Sequence, residues 1–437
     1  MRLYLVAAAA LLVLAVVAIV AWLGPLPSRV LVMSTGAAGS DYALLAERYR
    51  TLLKRSGVEL RLVPSAGAVE NLQRLNDPRS GVSVAFAEGG LTSESQSPAL
   101  MSLGTMFFEP FWFFSRIPLG RNLEALRDKK LSMGQEGSGT RAMALRLLAL
   151  NGLDQGITGV LALTPAQAKD ALLRGEIDAA AILSSWDSDI VRQLLGSSDV
   201  DLVGFPRADA YVALYPYLTK LRLPAGVGNL ATNRPPADVD VIAPKASLIV
   251  RRDLHPALQY LLLDAATQIH SAPNIFQQYG RFPAAQRDDL PLSRDALQFY
   301  KSGMPFLQRY LPFWLAVLTS RLLIILIPVA GVLYPLLRLA PSLYFWMVRR
   351  RVYLLYGELK VVEAEVERAG GTATADVLAQ LQQLDDRAHQ MRVPLGVASV
   401  LYTLREHIAL IYARIARATP ASTGSRPPNE QGPPLAP

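Results

Sequence analysis

The sequence has no cysteine. That excludes structural disulfides, cysteine-ligated zinc, iron–sulfur clusters, thiol nucleophiles and a lipid-modified N-terminal cysteine as an anchor. Histidine is scarce: there are four, His255, His270, His389 and His407, and none has the HExxH spacing of a zinc hydrolase. The stretch Gly81-Val82-Ser83-Val84-Ala85 is half a nucleophile elbow, but it lacks the second glycine and lies inside a strand pattern. No metal-ligand cluster stands out, and pairs such as Asp187/Asp189 and Asp238/Asp240 read as solvated loop charges. The expectation is a protein that is not an enzyme and needs no cofactor. Clustered positive charge is also scarce. The net charge is +8, yet Lys and Arg are scattered, without the basic stripe and interleaved aromatics of a nucleic-acid binder. The one cluster, Arg349–Arg351, follows a hydrophobic run and fits membrane orientation better.

Apolar residues are plentiful, at 51% of 437 residues, and part of them is concentrated in two long runs. Leu3 to Leu23 is almost wholly apolar and, at about 1.5 Å per helical residue, long enough to cross a hydrocarbon core of about 30 Å. It reads as an uncleaved anchor within residues 1–26. A signal peptide is the rival reading, although the run exceeds the usual length and no small-x-small site follows. The second run, Phe313 to Leu337, gives a span at 310–340. Tyr310, Pro312 and Trp314 suit its entry, Arg321 snorkels near the outer end, and Pro328 and Gly331 lie mid-span. Arg338 and Arg349–Arg351 put the exit in the cytoplasm by the positive-inside rule. Both termini are then expected inside, with the chain between the runs outside.

That exported stretch alternates short apolar runs with helical patterns: strands at Arg29–Met33, Val58–Val63 and Val82–Ala87, helices at Ser40–Arg55 and Ala68–Leu75. Leu44, Leu45, Arg48 and Leu52 give the first helix its spacing. The βαβαβ order predicts a parallel sheet of α/β class. Ligands of such sheets bind at the C-terminal strand ends. Three turns rich in small residues lie there, Ser34–Tyr42, Pro64–Asn71 and Phe86–Gly90. Gly permits close backbone approach, and helix N-termini offer free amides. A fourth loop, Gly134–Arg141, follows a strand at Lys130–Met133 and opens a helix to about Asn151. It is neither a dinucleotide fingerprint nor a P-loop, but its hydroxyls, amides and guanidinium suit an anion. Met106–Phe114 reads as a buried strand, as a crossover walling a cleft, or as both. Trp186 is either core or an aromatic cleft wall.

These pieces resemble the TAXI family of solute receptors, which serve tripartite ATP-independent periplasmic (TRAP) transporters. The resemblance rests on the first turn with Tyr42, on Ala66–Leu72, Val84–Gly90 and Gly137–Thr140, and on Arg174–Ala179 and Phe205–Tyr211. It covers about Val30 to Tyr310. It implies a bilobed clamshell of periplasmic-binding-protein type at 27–309, with lobe one at 29–113 and 214–309 and lobe two at 114–213. The implied function is capture of a small organic solute, an organic acid or amino acid, for a TRAP-type permease at the bacterial inner membrane, with the binding domain in the periplasm. The implied ligand residues are Thr35, Gly36, Gly39, Ser40 and Tyr42; Ser65, Gly67 and Asn71; Glu88; and Ser138, Gly139, Thr140 and Arg141, with Trp186 as a wall. One departure matters. Such receptors often carry Gln in the third turn, and here Glu88 stands there, which repels an anionic solute unless Arg141 or a substrate ammonium offsets it.

Beyond the second span, Val352–Arg368, Thr374–Met391 and Pro394–Ala418 read as cytoplasmic helices within 341–418. Leu378, Leu381 and Leu384, and Leu401, Leu404, Ile408 and Ile411, form stripes that either close a helical hairpin or pair between subunits. Residues 419–437 have a disordered composition. A ligand sensor reporting through the span to this tail is the alternative to a transport receptor.

Overall fold

The computed structural model describes residues 10, 13–21, 26–119, 123–153, 159–370 and 372–418. It divides into two compact units, one at Gly24–Leu322 and the other comprising Met1–Leu23 and Leu323–Pro437.

The first unit opens as the alternation predicts. Strands β1 (Val30–Ser34), β2 (Glu59–Val63) and β3 (Val84–Glu88) are joined by helices Asp41–Arg55 and Ala68–Asn76, and β1 pairs in parallel with both β2 and β3. Two further strands, β4 (Leu100–Phe108) and the thirteen-residue β11 (Val239–Arg251), extend this sheet antiparallel. The strand β10 (Leu218–Leu223) pairs with the first half of β11. The helix Asp41–Arg55 buries Tyr42, Ala46, Tyr49 and Leu53. This is a different face from the one expected at Leu44, which is 55% exposed. The reason is aromatic packing: the Tyr42 and Tyr49 rings lie 5.3 and 5.8 Å from that of Phe86 on β3, and large rings outweigh one leucine in buried area.

The second sheet has the order β7-β6-β8-β5-β9, built from β5 (Phe111–Ser115), β6 (Lys130–Ser132), β7 (Gly159–Leu161), β8 (Ala179–Leu183) and β9 (Asp201–Leu202). The two sheets and their helices make a bilobed α/β fold. The chain leaves the first lobe at Glu109-Pro110, between β4 and β5, so the expected boundary at 113/114 falls inside β5. The return runs along β11. Leu218, Leu223 and Ile242 pack in cores of the second lobe, whereas Ala246, Leu248 and Val250 belong to the first. The crossing strands touch where the Glu109 amide donates to the Pro244 carbonyl at 3.0 Å.

Phe313 and Trp314 pack on the core of the first lobe, and the Trp314 indole N–H donates to the Gly57 carbonyl at 3.4 Å. The Arg321 guanidinium lies 3.3 Å from His255 Nε2. These residues were expected to meet the membrane interface; their partners here are protein groups. Among the described residues one helix, Phe313–Arg368, is long and apolar enough to span a membrane, and its most apolar window is exposed. The N-terminal run at Leu3 to Leu23 lies largely outside the described residues; its stretch 13–21 is helical.

In the second unit, Val352, Leu355, Leu359, Val362 and Val366 recur at alternating spacings of three and four. They share one core with Leu381 and Leu384 of helix Ala375–Gln390 and with Leu401, Leu404, Ile408 and Ile411 of helix Leu395–Ala418. The tail is therefore a three-helix arrangement, where a two-helix hairpin was expected. The heptad-like stripe at the end of the long helix supplies the third face. Within one chain these stripes are buried against each other, while Leu378 stays 38% exposed.

Candidate functional site

The C-terminal ends of β1, β2 and β3 face the loop after β6, and a cavity of about 60 Å³ lies between them. Gly36, Ser40, Tyr42, Gly67, Glu88, Ser138, Gly139 and Thr140 line it, eight of the expected ligand residues. Asp41, Glu109 and Gln135 line it too.

The other six expected residues, Thr35, Gly39, Ser65, Asn71, Arg141 and Trp186, do not line this cavity. The buried Asn71 donates to the carbonyls of Thr35 and Phe86 at 2.8 and 2.9 Å and accepts from the Ser65 hydroxyl at 2.7 Å. Ser65 Oγ also lies 3.0 Å from the Thr35 carbonyl. Thr35, Ser65 and Asn71 thus bind the three turns to one another, because a buried amide must place its donors on whatever acceptors surround it. Gly39 makes the turn into the first helix with φ +77°. Arg141 turns to the Gly134 carbonyl at 3.5 Å. Trp186 lines a second cavity of about 420 Å³, together with Arg48, Arg192 and His270, on the far side of Asp41. A third, mainly apolar cavity of about 420 Å³ lies inside the second lobe around Phe111 and Phe205.

Of the two hydroxyls expected to suit an anion, that of Ser138 both donates and accepts within its own loop, whereas that of Thr140 is engaged as an acceptor. Ser138 Oγ donates to the Gln135 carbonyl at 2.6 Å and accepts from the Arg141 amide at 3.2 Å, the N-cap of helix Gly139–Leu150. Thr140 Oγ1 accepts from the Leu183 amide at 3.2 Å. Ser40 caps the first helix at the Ala43 amide.

The lobes meet around the cavity. Asp41 Oδ2 accepts from the Ser184 hydroxyl at 2.7 Å and from the Ser185 amide. Gln135 Nε2 donates to the Ala66 carbonyl at 2.9 Å, and the Glu70 amide donates to the Gly137 carbonyl at 3.1 Å. Arg146 reaches the Gly90 carbonyl at 3.2 Å. The cleft is therefore held shut by polar contacts from several elements.

The electrostatic centre is a group of three buried side chains. Tyr42 Oη lies 2.7 Å from Glu109 Oε2 and 3.0 Å from Glu88 Oε2. Burial pushes the Tyr42 hydroxyl well above its usual range, helped by both carboxyls, so it is a neutral phenol. A phenol has one hydrogen. With both contacts made as hydrogen bonds, one comes from a protonated carboxyl. Glu109 is the better candidate: burial and then the charge of Glu88 hold its carboxyl well above the usual range. Glu88 is pushed up to about 7, by burial first, and titrates near neutrality. Burial also raises Asp41, against the bonds from Ser184 and Ser185. A Cβ at position 139 would overlap Glu88 Oε1, so any side chain there displaces the buried carboxyl.

Sequence reasoning missed Glu109, Asp41 and Gln135 as lining residues. The signal for Glu109 was a lone acid in the apolar run Met106–Phe114, since an unsupported buried carboxylate is costly. Among the described residues no group of three or more His, Asp or Glu is placed to hold a metal ion.

A model of the NMT1-like family matches residues 33–302. The chain belongs to the NMT1-like family. Among curated proteins, none matches this NMT1-like chain. Similar solved structures include a Bordetella bronchiseptica protein, 16% identical, covering 56% of this chain and 72% of that one with a TM-score of 0.41. The alkanesulfonate-binding protein of Xanthomonas axonopodis pv. citri, solved with MOPS, is 18% identical, over 56% of this chain and 74% of that one, TM-score 0.36. The periplasmic aliphatic sulphonate-binding protein of Escherichia coli is 17% identical, over 55% and 72%, TM-score 0.34.

Proposed function

We propose that this chain is a membrane-anchored extracytoplasmic receptor that captures a small organic solute between its lobes and delivers it to a membrane permease of the TRAP type. The observation that carries this reading is the cleft. Turns from the C-terminal ends of three strands meet the loop of the opposite lobe around a small cavity, and interlobe hydrogen bonds close it. Two lobes joined by crossing strands suit capture by hinge closure. The TAXI-like turn sequences support the permease class. The apolar runs at both ends of the receptor region, with arginines beyond the second, support a periplasmic binding domain, an inner-membrane anchor and a cytoplasmic helical tail.

Native mass spectrometry of the full chain, purified in detergent from its own cells, tests the reading. A retained solute of defined mass, released on unfolding, is the expected result. If no solute is retained and no metabolite extract of the host raises the melting temperature, the chain is not a receptor of this kind.

A further inference from the structure

Resting on the receptor reading, we propose that the group recognised in this cleft is a protonated amine: the solute is a compact organic cation, or presents an ammonium end, and Glu88 is its counter-ion. The lining residues include three carboxyls, Asp41, Glu88 and Glu109, and no lysine or arginine. An anionic solute would enter with no countercharge in the lining. Asp41 is engaged by Ser184 and Ser185 across the lobes, which leaves the other two acids.

Glu88 carries the argument further. The residue is 4% exposed, and Oε2 takes the contact from Tyr42. Oε1 is buried and has no hydrogen-bond partner. A buried carboxylate oxygen without a donor is expensive and calls for one. The start of helix Gly139–Leu150 lies directly in front of it, yet no amide of that helix bonds to it. The carboxylate is therefore not acting as a plug for the helix N-terminus. An ammonium group brings three donors and a positive charge.

The charge count agrees. With Glu109 protonated and Tyr42 neutral, ionised Glu88 leaves one negative charge without a donor, beside Asp41, whose carboxyl is held by Ser184 and Ser185. The groups facing Glu88 are its own backbone amide, which holds the carboxyl down against burial, Tyr42 from the first helix, Glu109 from the crossover, and Asp289 from a loop of the same lobe, whose charge raises it. Asp288 beside Asp289 is partnered by Lys245 at 3.7 Å. None of these supplies a positive charge to the orphaned oxygen. The size agrees as well. A cavity of about 60 Å³ holds only a few waters, each of which takes about 30 Å³ in the liquid, so the closed cleft suits a molecule of few non-hydrogen atoms.

Calorimetry on the detergent-solubilised full chain tests this with two panels. One holds the amines methylamine, ethanolamine, putrescine and glycine. The other holds the nitrogen-free acids acetate, glycolate and succinate. The expected result is binding from the amine panel only, weakened at least tenfold in Glu88→Gln. In the wild-type chain, amine affinity should fall about thirtyfold from pH 8.5 to pH 5.5 as Glu88 takes up its proton, and this dependence should vanish in the variant. The wild-type measurement stands even if the variant folds poorly. Binding of the acids without the amines overturns the amine assignment and leaves the receptor reading intact. Amine binding that ignores both pH and the substitution overturns the role of Glu88. Binding from neither panel, with no stabilisation by host extract, removes the receptor reading and this inference together.

Discussion

Replacing Glu88 by glutamine should make the two-lobed unit more stable near neutral pH and leave it almost unchanged in acid. The native carboxyl titrates at about 7 against a usual 4.5. Between those two values the unfolded chain has lost the proton and the native chain still holds it. The native state therefore binds more protons across that window, so its stability falls as pH rises from about 4.5 and levels off above about 7. The shift is 7 − 4.5 = 2.5, and at about 1.4 kcal/mol per pH unit the penalty reaches about 3 kcal/mol. Glutamine does not titrate, so the variant escapes it. Removing the charge of Glu88 also relaxes the hold of Glu109 on its proton, which acts in the same direction. His270 opposes this trend. Burial pushes it down to about 3 from 6.5, so it adds stability as pH rises through that interval. It is common to both proteins and cancels in the difference. Urea titration of the full chain, read through hydrogen-exchange protection of the β3 amides, gives that difference at each pH. It should grow by about 3 kcal/mol in favour of the variant between pH 4.5 and 7.5. A difference that stays flat would mean that Glu88 is solvated or already paired, and the account of the cleft would fail.

Other substitutions probe the frame around this group. Asn71→Ala removes two donors from buried carbonyls and one acceptor from Ser65, and should lower the unfolding free energy by about 2–4 kcal/mol; a loss below about 1 kcal/mol would show that the amide does not hold the turns together. Gly139→Ala places a Cβ on Glu88 Oε1 and should hold the lobes apart at a cost of about 1–3 kcal/mol, seen as a larger radius of gyration in X-ray scattering. Unchanged scattering and stability would show that Glu88 swings aside freely. A reporter fused after Pro437 should be active only in the cytoplasm; activity in the periplasm would reverse the topology drawn from Arg349–Arg351.

The fold of the first lobe was legible because its periodicities are clean. Short apolar runs alternate with helical patterns, and the small-residue turns between them mark the strand ends where the cavity lies. What was not legible depended on distant contacts. The buried face of helix Asp41–Arg55 centres on the rings of Tyr42 and Tyr49 meeting Phe86, with Leu53 beside them and Leu45 and Leu52 at its margin, while Leu44 is left outside. Asn71, Ser65 and Thr35 carry the polar chemistry of ligand residues, and nothing local tells a side chain that fastens turns from one that faces a solute. The same holds for Ser138, whose hydroxyl is taken by the cap of its own helix. Glu109 acquires meaning only when the chain crosses between sheets beside Pro110 and brings it to Tyr42.

The start of the long helix carries the same lesson to the membrane side. Aromatic residues before an apolar run read equally well as an interfacial belt or as a docking face, because both need a ring with one polar edge. Here the Trp314 indole finds the Gly57 carbonyl, and Arg29 lies over its ring at 5.1 Å. Arg321, two turns on, stands beside His255 at the start of helix Pro256–His270. A guanidinium held by a folded lobe need not snorkel to reach polar surroundings. In the proposed membrane topology, the segment that satisfies lipid by composition alone therefore begins after Arg321. The residues before it belong to the unit Gly24–Leu322 and pack on the core of its first lobe.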